Sequence, residues 1–294
     1  MENVGDEGLR TLPSGAQHAQ LRAREQTENF PVALRLLPRR HREALHAVYG
    51  FARTVDELGD SFSGDRTGAL EAFDADLTTL WEGRVPEHPV LRRLRSTVVE
   101  RHLPAEPFHR LVQANLQDQL VTRYPTFEDL LGYCRLSADP VGRMVLGVFG
   151  VDDPETVRLS DRVCTALQLL EHWQDVAEDR RAGRIYLPQE HLRQYAVAET
   201  DLDRGEAGPA LRALMRFEID RAATILEEGA GIVGRLDGWA RVSVAGFVAG
   251  GRATVRALRR THGDVLARDA RPSRAGTAAT ALRLLATPGG RWRR

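Results

Sequence analysis

The chain has 294 residues with 41 basic and 41 acidic side chains, so its formal net charge is zero and no basic excess argues for nucleic acid. A small-molecule partner is therefore the default. Two cysteines, Cys134 and Cys164, are too few for a disulfide framework or a cysteine-based zinc site, and they point to a reduced, cytoplasmic protein.

Residues 1–25 show no periodicity and no apolar run behind a basic segment, so they read as a flexible leader and not as a secretory signal. From 26 to 267 the chain reads as helices punctuated by Pro and Gly, without the alternating β-branched runs that strands require. The predicted helices cover 29–37, 40–59, 67–82, 88–102, 105–121, 126–136, 138–149, 153–182, 188–196, 206–236 and 238–266. No break between them is long enough for an interdomain linker, which predicts one all-α domain. From residue 268 to 294 seven Arg stand against one Asp, and the segment reads as an unordered basic tail. Its TALRLLA stretch beside Trp292 also suits peripheral contact with an anionic membrane surface. Nowhere does an apolar run approach the roughly 18–20 residues of a membrane span.

Two helical segments carry acid pairs. In HREALHAVYGFARTVDELGD, a helical phase places Asp56 and Asp60 on the side of Leu45, Val48 and Tyr49, which predicts that both carboxylates face inward. Burying two carboxylates costs several kcal/mol per ion unless cations compensate, and a divalent metal is one such cation. Arg53 could pair with Asp56 or hold an anionic ligand. A structural Arg–Asp pair is the simpler alternative.

The second segment, CTALQLLEHWQDVAEDRRAGRIYLP, predicts one long helix ending at Gly183, where a left-handed cap favours glycine. Ala166, Leu169, Leu170, Trp173, Val176 and Ala177 form its apolar side, and Gln168, Glu171, Asp175, Glu178 and Asp179 form a polar stripe. Alone, that stripe reads as a solvated face, and chance accounts for an Asp-x-x-x-Asp in a chain with 20 Asp. What distinguishes it is the Arg-Arg and Gly-Arg-Ile-Tyr-Leu-Pro that follow. Magnesium takes one or two carboxylates together with waters and phosphate oxygens, so two facing helices bearing such pairs would suit a diphosphate ligand.

ENFPVALRLLP, ARTVDELGD, YCRLSADPVGRMVLGVF, LQLLEHWQDVAEDRRAGRIYLP and ARVSVAGFVAGGRA, in that order over about residues 25–265, resemble the signatures of the squalene/phytoene synthase family. The Asn-Phe-Pro-Val and His-Trp-Gln-Asp-Val forms look most like its hydroxysqualene synthase branch of bacterial hopanoid biosynthesis. The resemblance implies the all-α isoprenoid synthase fold, a helical bundle around a central apolar cavity, acting on an isoprenoid diphosphate with Mg2+. It implies that Asp56, Asp60, Asp175 and Asp179 bind magnesium, with Glu57 and Glu178 as weaker candidates. Asn29, Arg53, Gln168 and Tyr186 would contact diphosphate or its metals, and Phe30, Tyr133, Val141 and Gly142 would line the isoprenoid pocket. Relatives commonly carry Asp where this chain has Glu57, Asn where it has Glu171 and Arg where it has Gln174; the last change weakens a diphosphate contact or makes room for water. Companion isoprenoid enzymes are implied partners.

The implied activity is conversion of presqualene diphosphate to hydroxysqualene by ionisation, rearrangement and water capture. No Gly-x-Gly-x-x-Gly unit follows a strand, so nothing supports the nicotinamide that hydride transfer would need. The alternatives are head-to-head prenyl transfer giving presqualene diphosphate or phytoene, and a non-catalytic scaffold in a lipid-synthesis complex. A di-iron bundle would need Glu-x-x-His on facing helices, and only Glu43–His46 fits. His41 and His172 read as helix-surface or structural histidines. Trp81, Trp173 and Trp239 read as packing residues, and the Gly250-Gly251 pair as a close helix contact.

Overall fold

The computed structural model describes residues 37–267, 270, 272 and 274–286. Asn29, Phe30 and nearly all of the helix predicted over 29–37 lie outside them. Helix α1 spans Arg39–Asp56 and continues into a π-helical turn over Glu57–Ser61. Helices α2 (Arg66–Thr78), α3 (Pro89–Arg101), α4 (Glu106–Asp118), α5 (Phe127–Ser137) and α6 (Asp139–Val148) follow. Helix α7 covers Pro154–Gln174, α8 Val176–Arg181 and α9 Gln189–Gln194, with a 3-10 turn at Glu199–Asp203. The chain ends in α10 (Pro209–Gly229), α11 (Ile232–Arg235), α12 (Gly238–Arg260) and α13 (Arg274–Ala286). Among the described residues the only β pairing is an isolated parallel bridge between Arg123 and Ile185.

Local chemistry sets the helix starts. Thr126 and Asp129 form a reciprocal capping box on α5, and Asp153 caps α7 by accepting from Thr156 N at 3.0 Å ahead of Pro154. The apolar positions Ala44, Leu45, Val48, Phe51 and Val55 fall on one stripe of α1 and are buried.

Packing divides into two apolar clusters. The larger joins α5, α7, α10 and α12 around Trp173, Leu169, Leu214 and Val248; the smaller joins α1 to α4 around Phe51, Leu77, Leu91 and Phe108. Helix α6 straddles them, sending Leu146 into the larger and Met144, Val145 and Val148 into the smaller. Truncating a fully buried aromatic such as Phe51, Phe108 or Trp173 to Ala would cost about 3–5 kcal/mol. Half-buried Ala52, Val141 and Phe247, from three different helices, edge the smaller cluster. Close helix approach is built on glycine: a Cβ at Gly229 would lie 2.8 Å from Leu159 O, and one at Gly251 would lie 2.9 Å from both Leu167 and Leu226.

Four predicted elements differ. The helix expected over 153–182 bends at Asp175, and that over 206–236 begins at Pro209 and breaks after Gly229. The helix expected to reach 266 stops at Arg260, because Gly263 takes φ +84° against the Arg212 backbone. Part of the segment expected to be unordered is α13: its Ala- and Leu-rich sequence favours helix, and Leu284 and Leu285 pack on the larger cluster. Arg256 donates to Thr280 Oγ1 at 2.9 Å to hold α13 on α12. Trp239, expected to pack, is 38% exposed. No helix among the described residues is long and apolar enough to cross a membrane.

Candidate active site

The first acid pair stands where α1 gives way to its wider turn. Asp56 closes the α-helix and is half-buried, whereas Asp60 lies within the π turn and leaves 54% of its side chain exposed. The inward placement expected of both is thus corrected for Asp60: the prediction used a constant α-helical advance, and an i→i+5 turn changes the phase. The turn sits at Gly59, where any Cβ would collide with the Asn115 side chain of α4. Gln119, one residue beyond α4, donates to Gly59 O at 3.1 Å and Asn115 O at 3.0 Å and clamps the turn to α4.

The second pair is arranged by another irregularity. Asp175 adopts φ −102°, ψ 14°, and its carbonyl accepts from both Glu178 N and Asp179 N at 2.8 Å, which starts α8 on a new course. Gly183 then takes the expected left-handed conformation, with φ +84°, and the chain reverses. Ile185 N donates to Thr122 O at 3.0 Å, so the α4–α5 loop supports the segment after the second motif. Arg123 reinforces it by donating to Gly183 O at 2.7 Å.

These contacts bring the motifs face to face. Arg184 donates to Asp60 Oδ1 at 3.1 Å, spanning 124 residues of sequence. Burial opposes its charge, but Tyr186 and Asp60 outweigh burial and raise the pKa of its guanidinium. Asp118, at the end of α4, accepts from Tyr133 Oη at 2.6 Å. Burial pushes the Asp118 carboxyl up to about 6, although Tyr133 and Arg184 pull it down; the nearby Asp60 and Asp179 charges push it up. Asp118 Oδ1 and Arg184 Nε are both buried without a hydrogen-bond partner, an acceptor and a donor left over at one site.

An aromatic group underlies this rim. The rings of Tyr124, Tyr133 and Tyr186 lie 5.5–5.7 Å apart, and His172 stacks on Tyr186 at 3.6 Å and 14°. Burial raises all three phenol pKa values and lowers that of His172, so the phenols stay neutral, as does the imidazole at neutral pH. His172 is 6% exposed, which makes it a buried member of the site and not a surface histidine. Asp118, Tyr124 and Arg184 were not singled out from sequence. Arg184 lay inside the Gly-Arg-Ile-Tyr-Leu-Pro stretch, and the signal for Asp118 was its place on the last turn of a helix shortly before Tyr133.

The remaining predicted residues divide. Gln168 is half-buried and meets His172 Nε2 at 3.2 Å. Tyr186 and Tyr133 are buried in the aromatic group. Arg53 pairs with Glu57 at 3.6 Å, a partner the prediction did not consider. Glu178 is exposed, and Val141 packs half-buried on the smaller cluster. Gly142 is a helix-crossing position, since a Cβ there would lie 2.5 Å from Ser160 Oγ and Cys164 Sγ. Gln174, expected to face substrate, donates instead to Ala270 O at 3.0 Å, on the segment after α12. Cys134 and Cys164 are free thiols. Glu43 is engaged by Arg39 at 2.6 Å on the surface, away from any bundle interior. A recess of about 560 Å³ opens beside Phe149, Arg235 and Asp237, at the opposite end of α7 from the acid pairs.

Among the described residues no three His, Cys, Asp or Glu side chains converge tightly enough to hold a metal by themselves. A divalent metal shared with a diphosphate needs fewer protein ligands, because phosphate oxygens and water complete its shell. Carboxylates on opposing elements, the orphaned Asp118 oxygen and a guanidinium already lodged against Asp60 fit that sharing.

Helices enclosing apolar clusters, with paired acids and a guanidinium at one end, define an all-helical isoprenoid synthase. The chain belongs to the squalene/phytoene synthase family, whose pattern it matches over residues 23–276. It is 35% identical over 215 residues to the 15-cis-phytoene synthase of Synechococcus elongatus, covering 68% of this chain and 70% of that one. It is also 35% identical over 203 residues to the hydroxysqualene synthase of Rhodopseudomonas palustris, covering 69% of each. Among solved structures, the squalene synthase HpnC of Alicyclobacillus acidocaldarius superposes with a TM-score of 0.77 at 39% identity, covering 83% of this chain and 93% of that one. A dehydrosqualene synthase bound to a ligand superposes at 0.81 with 26% identity, covering 92% and 94%. The chain is thus an enzyme of the family that joins prenyl diphosphates head to head.

Proposed function

We propose that the chain converts presqualene diphosphate to hydroxysqualene. The observation that carries this reading is the Asp60–Arg184 contact, which joins the first acid motif to the segment that follows the second. Asp56, Asp60, Asp175 and Asp179 would hold Mg2+, which when bound supplies charge that stabilises a departing diphosphate. Arg184 would turn its unused Nε–H toward a phosphate oxygen and exchange Asp60 for the substrate. The prenyl chains would lie along the half-buried apolar side chains Ala52, Val141 and Phe247, which carry no nucleophile to quench a cation early.

In this reading the carbon–oxygen bond breaks and the electron pair leaves with diphosphate. The cyclopropylcarbinyl cation then rearranges, and a water oxygen adds and loses one proton, so no reductant is consumed. Two relatives named as hydroxysqualene synthases, from Rhodopseudomonas palustris and Zymomonas mobilis, support this product. Phytoene synthases of similar identity keep head-to-head condensation as the second reading. The test incubates purified protein and Mg2+, without reductant, with presqualene, farnesyl or geranylgeranyl diphosphate. Hydroxysqualene from the first substrate is the expected result; turnover of only the other two would refute the proposal.

A further inference from the structure

His172 stands seven residues before Asp179. In an unbroken α-helix that separation is about 10.5 Å of rise, too far for their side chains to meet. Here His172 Nδ1 lies 3.8 Å from Asp179 Oδ2, and the bend at Asp175 is what closes the distance. The other ring nitrogen, Nε2, meets the Gln168 amide nitrogen at 3.2 Å. An amide nitrogen can only donate, so Nε2 accepts and the proton of the neutral ring resides on Nδ1, aimed at Asp179. The ring face is fixed by its 3.6 Å stack on Tyr186, two residues after Arg184. One buried side chain thus meets Gln168, stacks on Tyr186 and faces Asp179 at 3.8 Å, groups from both arms of the bent motif.

We propose that His172 is a positioning residue that holds the bend and aims the Asp179 carboxylate at the metal–diphosphate site. It touches no reacting atom and acts through Asp179. Partners that orient a metal-binding carboxylate typically change metal affinity 10- to 100-fold when removed. The inference rests on the proposed role of Asp179 as a metal ligand.

The test uses the purified full chain, Mn2+ as a paramagnetic probe and inorganic diphosphate, with free Mn2+ followed by electron paramagnetic resonance. H172F keeps a flat ring on Tyr186 and loses both nitrogens; it should weaken Mn2+ binding about tenfold while its melting temperature stays near wild type. H172N places an amide N–H near the Nδ1 position and should recover most of the affinity, whereas H172Q reaches only toward the Nε2 position and should not. In turnover, H172F should raise the half-saturating metal concentration more than it lowers the rate at saturating metal. Equal Mn2+ affinity in wild type and H172F would overturn the proposal, as would equal affinities of H172N and H172Q, a comparison that holds even if H172F folds poorly. Absence of diphosphate-dependent Mn2+ binding by the wild type would instead refute the metal reading of the site, and this inference with it.

Discussion

Asp118→Asn should make the protein more stable at pH 8 and less active. Burial raises the Asp118 carboxyl from 3.8 to about 6, so the folded state binds its proton more tightly than the unfolded chain does. The sign follows from linkage. Below about pH 4 both states are protonated and Asp118 costs nothing; between about pH 4 and 6 stability falls as pH rises, and above 6 the full penalty is present. A shift of roughly two units corresponds to about 3 kcal/mol, an upper limit because Asp118 is only half-buried by surface. Asn carries no charge, and its carbonyl can still accept from Tyr133 Oη. Urea unfolding of both proteins in chelator at pH 4, 6 and 8 measures the effect. The gain should approach 2–3 kcal/mol at pH 8 and vanish at pH 4. A variant less stable than wild type at pH 8, or a difference independent of pH, would refute the reasoning.

Gly59→Ala should cost about 1–3 kcal/mol and lower turnover, because the Asn115 side chain must move and the clamp on the π turn loosens; thermal melts alongside turnover check it. Arg184→Met should lower turnover at least a hundredfold while changing stability by no more than about 1 kcal/mol, since the Asp60 partner is more than half exposed; a stability loss matching the activity loss would contradict this. Gln174→Leu should cost about 1 kcal/mol and leave the KM for diphosphate substrate within about twofold, because its amide serves Ala270 and not substrate; a large rise in KM with unchanged stability would show direct contact. Asp175→Ala should abolish turnover with helicity intact by circular dichroism, and unchanged activity would remove Asp175 from the mechanism.

Much of the helical order was legible because local signals were strong. Apolar residues on α1 recur at helical spacing, Pro and Gly mark most of the breaks, and Gly183 occupies the left-handed end assigned to it. Errors concentrate where helices depart from regularity. The π turn at Glu57–Ser61 is clamped by Asn115 and Gln119, and the segment after the bend at Asp175 is held by Thr122 and Arg123, all of them distant in sequence. Periodicity assumes a uniform advance per residue and has no term for such partners. The α13 helix escaped for a related reason: its arginines signalled solvent, while the apolar face that receives Leu284 and Leu285 belongs to residues far earlier in the chain.

By itself the sequence determined the helical class, the paired Asp motifs and the family they resemble, because spacing, capping and residue type act over a few neighbouring positions. The tertiary structure alone decided which charges meet. Arg184 reaches Asp60 across 124 residues, Tyr133 reaches Asp118 from the next helix, and Gln174 turns away from the site to Ala270. A carboxylate's burial, partner and protonation depend on everything packed around it in space, and so the site's electrostatics were settled only when the helices closed on one another.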